Sequence, residues 1–286
     1  MESNPRNINP FTDFGFKKLF GDESVKDLLL DFLNSLLENE TGRIIELEYS
    51  QNENQGMSKE DRRVVFDIYC KTQKGERIIV EMQKFFQINY RERSLYYSTF
   101  AIQEQAVKNT WDFNLNAVYC ISVLDFIMTF GKQTERKFLH KVNLIEEETG
   151  IVFNNKLTFI YIEIPKFDKK VEELETNFEK WLYLLRHLEF LERLPERLQS
   201  KIFYKVMDIA ALVNLDRKQR MEYEESLKAQ RDYQNALDAR YLQGKAEGGA
   251  EVKIETAIAL HKKGLELALI SEVTGLSEKE LKEILF

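Results

Sequence analysis

Asp67, Glu81 and Gln83 are the side chains whose types and spacing carry chemistry. They lie in two β-branched, aromatic-rich runs, "RRVVFDIYCKT" and "ERIIVEMQKFF", joined around "QKG". Side chains alternate along a strand, so Arg77, Ile79, Glu81 and Gln83 share one face, and Ile78, Val80 and Met82 share the other. With the loop centred near Lys74, cross-strand partners have numbers summing to about 148, which sets Asp67 opposite Glu81 with Cβ atoms roughly 4.5–5.5 Å apart. Two ionised carboxylates that close repel, unless one keeps a proton or a divalent cation sits between them. A hard ion such as Mg²⁺ or Mn²⁺ fits two carboxylates, the Met82 backbone carbonyl and waters. Such an ion polarises a phosphodiester and lowers the pKa of water. Acids facing each other across a hairpin are also common as solvated decoration. The apolar residues on both faces here favour a part-buried pair.

The elements that position this pair follow from hydrophobic period. "TDFGFKKLFGDESVKDLLLDFLNSLL" has helical spacing, divided at Gly21 and Asp22, with Asp22 available as a cap. "RIIELEYS" is β-rich, and "QNENQGMSKED" has loop composition. After the hairpin, "ERSLYYSTFAIQEQAVK" returns to helical spacing, with Leu95, Thr99, Ile102 and Ala106 along one side. "LNAVYCISVLDF" and "KLTFIYIEI" are apolar enough to be interior strands. The order is α-β-β-β-α-β-β, a mixed sheet flanked by helices. Beyond Lys169 the pattern is all helical: a leucine-striped segment, a long charged helix, glycines at 244, 248 and 249 that loosen the chain, and three short helices ending in a Ser277/Glu280 capping box. The expected division is 1–168 for the α/β part, 169–243 for a helical extension and 244–286 for a small helical tail, in which "SEKELKEIL" is placed as the second helix of a helix-turn-helix or serves packing or oligomerisation.

Composition bounds the partners. The net charge of −7 gives no overall attraction to nucleic acid, although Ser58–Ser94 holds nine Lys/Arg against six Asp/Glu. Cys70 and Cys120 have no paired spacing, so neither a zinc site nor a disulfide framework is expected, and a reducing compartment is implied. The N-terminal residues lack a signal-peptide pattern and no apolar run is long enough to span a membrane, which together point to the cytoplasm. His140, His187 and His261 are scattered, and "GKAEGG" lacks the strand–loop–helix setting of a phosphate loop.

Four stretches carry a family resemblance: "NPFTDFGFKKLFGDE", "FDIYC…GERIIVEMQ", "RERSLYYSTFAIQEQ" and "GLELALISEVTGLSEKELKEIL". Together they resemble PD-(D/E)XK nucleases, and more narrowly the Rpn-type recombination-promoting nucleases, also described as PD-(D/E)XK family transposases. The resemblance implies a restriction-endonuclease-like αβββαβ core followed by an all-α region, and Mg²⁺-dependent (or Mn²⁺-dependent) endonucleolytic hydrolysis of DNA linked to recombination or mobile elements. On this basis Asp67 and Glu81 are the metal ligands, and Gln83 stands where a lysine usually positions water and stabilises charge. Asp13 is an auxiliary acid near the metal, or else the cap of its helix. Gln83 departs from the E-x-K pattern toward the E-x-Q that similar members commonly keep; it orients water and phosphate but supplies no charge. Lys17, four residues after Asp13, is the candidate cation in its place.

Arg91 and Arg93 open the helix after the hairpin, where they contact phosphates or form a solvated terminus. Tyr96 and Tyr97 fit core packing better than base stacking. The partners expected are DNA and, for cutting two strands, a further copy of the chain. The alternative is a catalytically weak DNA-binding or protein-binding chain that keeps the nuclease fold.

Overall fold

The computed structural model describes residues 4–50, 53–54, 64–106, 112–128, 130–131 and 134–286. The loop expected at "QNENQGMSKED" lies mostly outside the described residues. The chain forms two compact units, Met1–Ser226 and Leu227–Phe286.

The first unit begins with α1 (Asp13–Phe20) and α2 (Lys26–Thr41). Thr12 caps α1, its hydroxyl accepting from the Gly15 N–H, so Asp13 is the first helical residue and not the cap. Asp22 caps a short 3₁₀ turn leading into α2. Apolar faces of α1, α2, α4 (Asn177–His187) and α5 (Lys201–Ala210) meet in an aromatic core. There Trp181 lies 5.6 Å from Phe20, 5.8 Å from Phe32 and 5.1 Å from Phe203.

A mixed six-stranded sheet stands beside these helices. Its strands are β1 (Leu47–Tyr49), β4 (Ile68–Thr72), β5 (Arg77–Gln83), β6 (Val118–Leu124), β7 (Leu139–Ile145) and β8 (Val152–Glu163), in the order β1-β4-β5-β6-β8-β7. β2 (Glu53–Asn54) and β3 (Val64–Val65) form a separate short pair. β5, β6 and β8 run parallel, and the other pairings are antiparallel. β6 is buried at every residue, as expected for a strand covered on both faces. β4 and β5 pair Ile68 with Val80 and Lys71 with Arg77, the register in which numbers sum to 148. Gly75 closes the turn at φ +84°, a left-handed conformation that a side chain would strain. Cys70 and Cys120 are buried free thiols on β4 and β6, and burial pushes Cys70 up to about 12.

Three expectations need correction. A strand is added: β7 pairs with β8 at the sheet edge, and β8 starts earlier than "KLTFIYIEI" suggests. α3 (Tyr90–Gln103) buries Tyr90, Ser94, Ser98 and Ala101, while Leu95 is exposed. Small side chains let the helix lie close against Ile79, Cys120 and Tyr161, so packing distance and not hydrophobicity chose its inner face. Finally, α6 (Arg217–Lys262) continues through Gly244, Gly248 and Gly249. Each glycine costs about 1 kcal/mol relative to alanine, but Ala, Glu, Lys and Gln around them favour helix. The expected first tail helix is therefore the end of α6.

In the second unit α7 (Leu267–Thr274) and α8 (Glu278–Leu285) pack with the end of α6 around Ala257, Ile270 and Leu281. Ser277 and Glu280 form the reciprocal cap of α8. No helix among the described residues is long and apolar enough to cross a membrane.

The N-terminal segment of the first unit is clamped by residues far along the chain. The Asn7 side-chain amide donates to the carbonyls of Leu188 (2.7 Å) and Leu191 (2.8 Å). The Ile8 N–H donates to Ala210 O at 2.8 Å, and the Asn9 N–H to the Tyr223 hydroxyl at 2.9 Å. This segment leads directly into α1.

Candidate active site

Asp67 sits in the bend that leads into β4, and Glu81 on β5 opposite it. Each carboxylate is held by a backbone N–H of the facing segment. Met82 N–H donates to Asp67 Oδ2 at 2.9 Å, and Asp67 N–H donates to Glu81 Oε1 at 3.2 Å. Hydrogen bonds to charged groups of this kind contribute about 1.5–3 kcal/mol each, so they fix both carboxylates against the hairpin.

Charge compensation is incomplete. Glu81 is 6% exposed. Burial first, and then the neighbouring Asp67, push its carboxyl up to about 8, against the pull of Arg93 and Lys17. Burial also raises Asp67, aided by Asp13, while the Met82 N–H, Lys17 and Arg93 oppose the rise. The pair therefore retains a proton near neutral pH. Two carboxylates held together at this energetic cost suit a divalent cation that displaces the proton. Among the described residues no group of three or more His, Cys, Asp or Glu side chains is arranged to hold a metal. The two carboxylates alone, completed by backbone and water, would suit only an oxygen-preferring ion that keeps part of its hydration.

Arg93, in the first turns of α3, completes the cluster. Its Nη2 lies 3.1 Å from Glu81 Oε2, and its Nη1 lies 3.4 Å from Gln83 Oε1 and 3.0 Å from Gln87 Oε1. The guanidinium carbon stands 4.9 Å from the Tyr97 ring centroid and 5.9 Å from that of Tyr90. Burial works against its charge, yet Glu81 and Tyr97 hold its pKa above the usual value. Behind Glu81, the residues Tyr90, Arg93, Tyr97, Cys120 and Ser122 line a cavity with room for about one water molecule. The Tyr90 hydroxyl is buried there near Ser122, without a well-formed hydrogen bond. Burial and then the charge of Glu81 raise the Tyr90 phenol far above its ordinary range, so it stays protonated and faces the cavity as a donor.

The other sequence candidates fall in different places. Asp13 and Lys17 pair with each other at 2.7 Å on the exposed side of α1, within electrostatic reach of Asp67. Lys84 turns away from Glu81 and pairs with Asp125 at 3.3 Å. Arg91 stacks over Phe130 at 4.7 Å. Tyr97 is half-buried edge-on against Phe66, and Tyr96 is exposed against Phe100. Arg93, which the sequence offers as a phosphate contact or a solvated terminus, lies beside Glu81 and Gln83. Tyr90 and Ser122 were missed altogether. The available signal was the Tyr90–Arg93–Ser94–Tyr97 stripe, one polar and aromatic helix face at i, i+3, i+4, i+7.

A family model described as PD-(D/E)XK nuclease family transposase matches residues 10–240, a span that includes all of these side chains. No curated protein and no solved structure is significantly similar to the chain.

Proposed function

Because the chain belongs to the PD-(D/E)XK nuclease family transposases, we propose that it is a divalent-metal-dependent DNA endonuclease acting in recombination or in the movement of mobile elements. The observation that supports this most is the backbone-held, under-compensated pair of Asp67 and Glu81.

Asp67, Glu81 and the Met82 carbonyl would hold Mg²⁺ or Mn²⁺. The ion, when bound, supplies Lewis acidity toward the phosphoryl oxygens and lowers the pKa of water. The β4–β5 hairpin keeps the two carboxylates in register through its backbone hydrogen bonds, so little reorganisation is needed when substrate arrives. Gln83, two residues from Glu81 on the same face, orients a water and a phosphate oxygen through its amide. Asp13 and Lys17 border the site from α1, with Asp13 as auxiliary acid and Lys17 facing the DNA backbone. Arg91 provides a further phosphate contact from α3. The cytoplasm and a homo-oligomer that cuts both strands belong to the same reading.

Nicking of supercoiled plasmid with and without Mg²⁺ tests it. Wild type should nick only with Mg²⁺, and Asp67→Ala should lose about 1000-fold or more, the scale for removing a preorganised charge-stabilising group. Glu81→Gln should fall similarly. Equal nicking by wild type and Asp67→Ala overturns the site. Since Gln83 brings no charge, the second reading is a chain that binds DNA without cutting it; Mg²⁺-independent retention of DNA by an inert wild type would favour that.

A further inference from the structure

We propose that Arg93 is a catalytic residue, the cation that stabilises negative charge developing on the scissile phosphate; this rests on reading Asp67 and Glu81 as the metal-binding pair of a nuclease. In hydrolysis the water oxygen forms a new P–O bond as one P–O ester bond breaks. The water gives up a proton to solvent and the departing alkoxide takes one up. Negative charge grows on the phosphoryl and leaving oxygens during this exchange. Two carboxylates and one divalent ion sum to zero, so the substrate's own charge needs a further positive group.

Three side chains compete for that task. Gln83 is neutral. Lys17 is neutralised by Asp13 at 2.7 Å, with both side chains about half exposed or more. Arg93 reaches the reacting face directly, through Glu81 Oε2, Gln83 Oε1 and Gln87 Oε1. It is 31% exposed, so solvent and substrate have access to it. Of its five N–H donors, the contacts to these three residues leave some to offer, and its planar fork matches phosphate. Tyr97 beneath the guanidinium holds the plane in place.

The same geometry accounts for glutamine at position 83. A lysine there would bring a second cation to the guanidinium, whereas the Gln83 amide oxygen accepts a hydrogen bond from it. Gln83 and Arg93 act as one device, a neutral acceptor that aims a charge carried by the neighbouring helix.

The test uses the full-length chain with Arg93→Gln, Arg93→Lys, Gln83→Lys and the double variant Arg93→Gln/Gln83→Lys. Plasmid nicking is measured at saturating Mg²⁺, Mn²⁺ affinity by electron paramagnetic resonance, and folding by circular dichroism. Arg93→Gln should lose about 100-fold or more in nicking rate, while binding Mn²⁺ as tightly as wild type or tighter, because a competitor for Glu81 is gone. Arg93→Lys, which keeps the charge, should recover part of the rate. The double variant should exceed Arg93→Gln by about tenfold, while Gln83→Lys alone gains nothing. Near-wild-type nicking by Arg93→Gln, beside an inert Asp67→Ala, overturns Arg93 alone. So does a parallel loss of Mn²⁺ affinity and rate, which would mean that Arg93 only holds Glu81. A double variant no better than Arg93→Gln also overturns it. A wild type inert with Mg²⁺ overturns the nuclease reading and Arg93 with it.

Discussion

Two glutamates are buried in the same sheet, and their surroundings differ. Glu163, at the end of β8, is 0% exposed. One of its oxygens accepts from the Met128 N–H; the other lies 2.6 Å from Lys166 Nζ and 3.1 Å from His140 Nε2. Phe130 stacks on His140 with ring centroids 4.2 Å apart, sealing the cluster. Glu81, on β5, has one arginine, a like charge opposite and, beside it, a buried phenol without a well-formed hydrogen bond. Glu163 ties the segment before β7 to β8, and its partners satisfy it fully. Glu81 is left short of positive charge. Burial alone does not single out Glu81; under the proposed reading its unfinished compensation does, because a cation from outside would complete it.

The largest effect separating the two is on stability. Glu163→Ala leaves Lys166 buried without its carboxylate and should cost about 3–5 kcal/mol in urea unfolding. Asp67→Ala, in ion-free protein, should cost less, about 2 kcal/mol or under, because the lost hydrogen bond from Met82 N–H is offset by removing a like charge from Glu81. A Glu163→Ala variant as stable as wild type would erase the contrast.

The next effect is the pH dependence of ion-free protein. Folded Glu81 keeps its proton up to about 8, against 4.5 for the ordinary group. Its contribution is therefore fully present below 4.5 and is lost as pH rises through about 8. The melting temperature should fall across that window, and Glu81→Gln should flatten the slope. A slope of opposite sign in wild type, or one unchanged in the variant, would place the proton elsewhere.

Ion binding should show the same proton from the other side. At pH 7, Mn²⁺ should release about one proton per ion, read from calorimetry in buffers of different ionisation enthalpy, and its affinity should tighten toward pH 8. Ion uptake without proton release would mean that Glu81 was already charged.

The smallest effect is at Tyr90. Its hydroxyl makes no well-formed hydrogen bond, so Tyr90→Phe should leave stability unchanged or raise it by up to about 1 kcal/mol. A loss of more than 1 kcal/mol would mean that the hydroxyl is satisfied in solution.

The hairpin was legible in the sequence because a glycine-bearing turn and period-2 alternation fix register together. Strand β7 was not: "LHKVNLI" mixes polar and apolar residues at the sheet edge, where only one side is paired. The inner face of α3 was hidden because Ser94, Ser98 and Ala101 are neither large nor strongly apolar. The Glu81–Asp67 pairing could be reached by counting across a turn. The Arg93–Glu81 contact could not, since it depends on how closely a helix settles on a sheet.

The clamp on the N-terminal segment bears on timing during synthesis. Asp13 and Lys17 border the site from α1, yet the chain entering α1 is held by Leu188, Leu191, Ala210 and Tyr223. At about 5–20 residues per second, translation from Gln83 to Tyr223 takes about 7–30 s. For that interval a nascent chain owns both carboxylates but lacks the residues that hold the segment leading into α1. A ribosome therefore completes the surroundings of this carboxylate pair late, after most of the polypeptide has emerged.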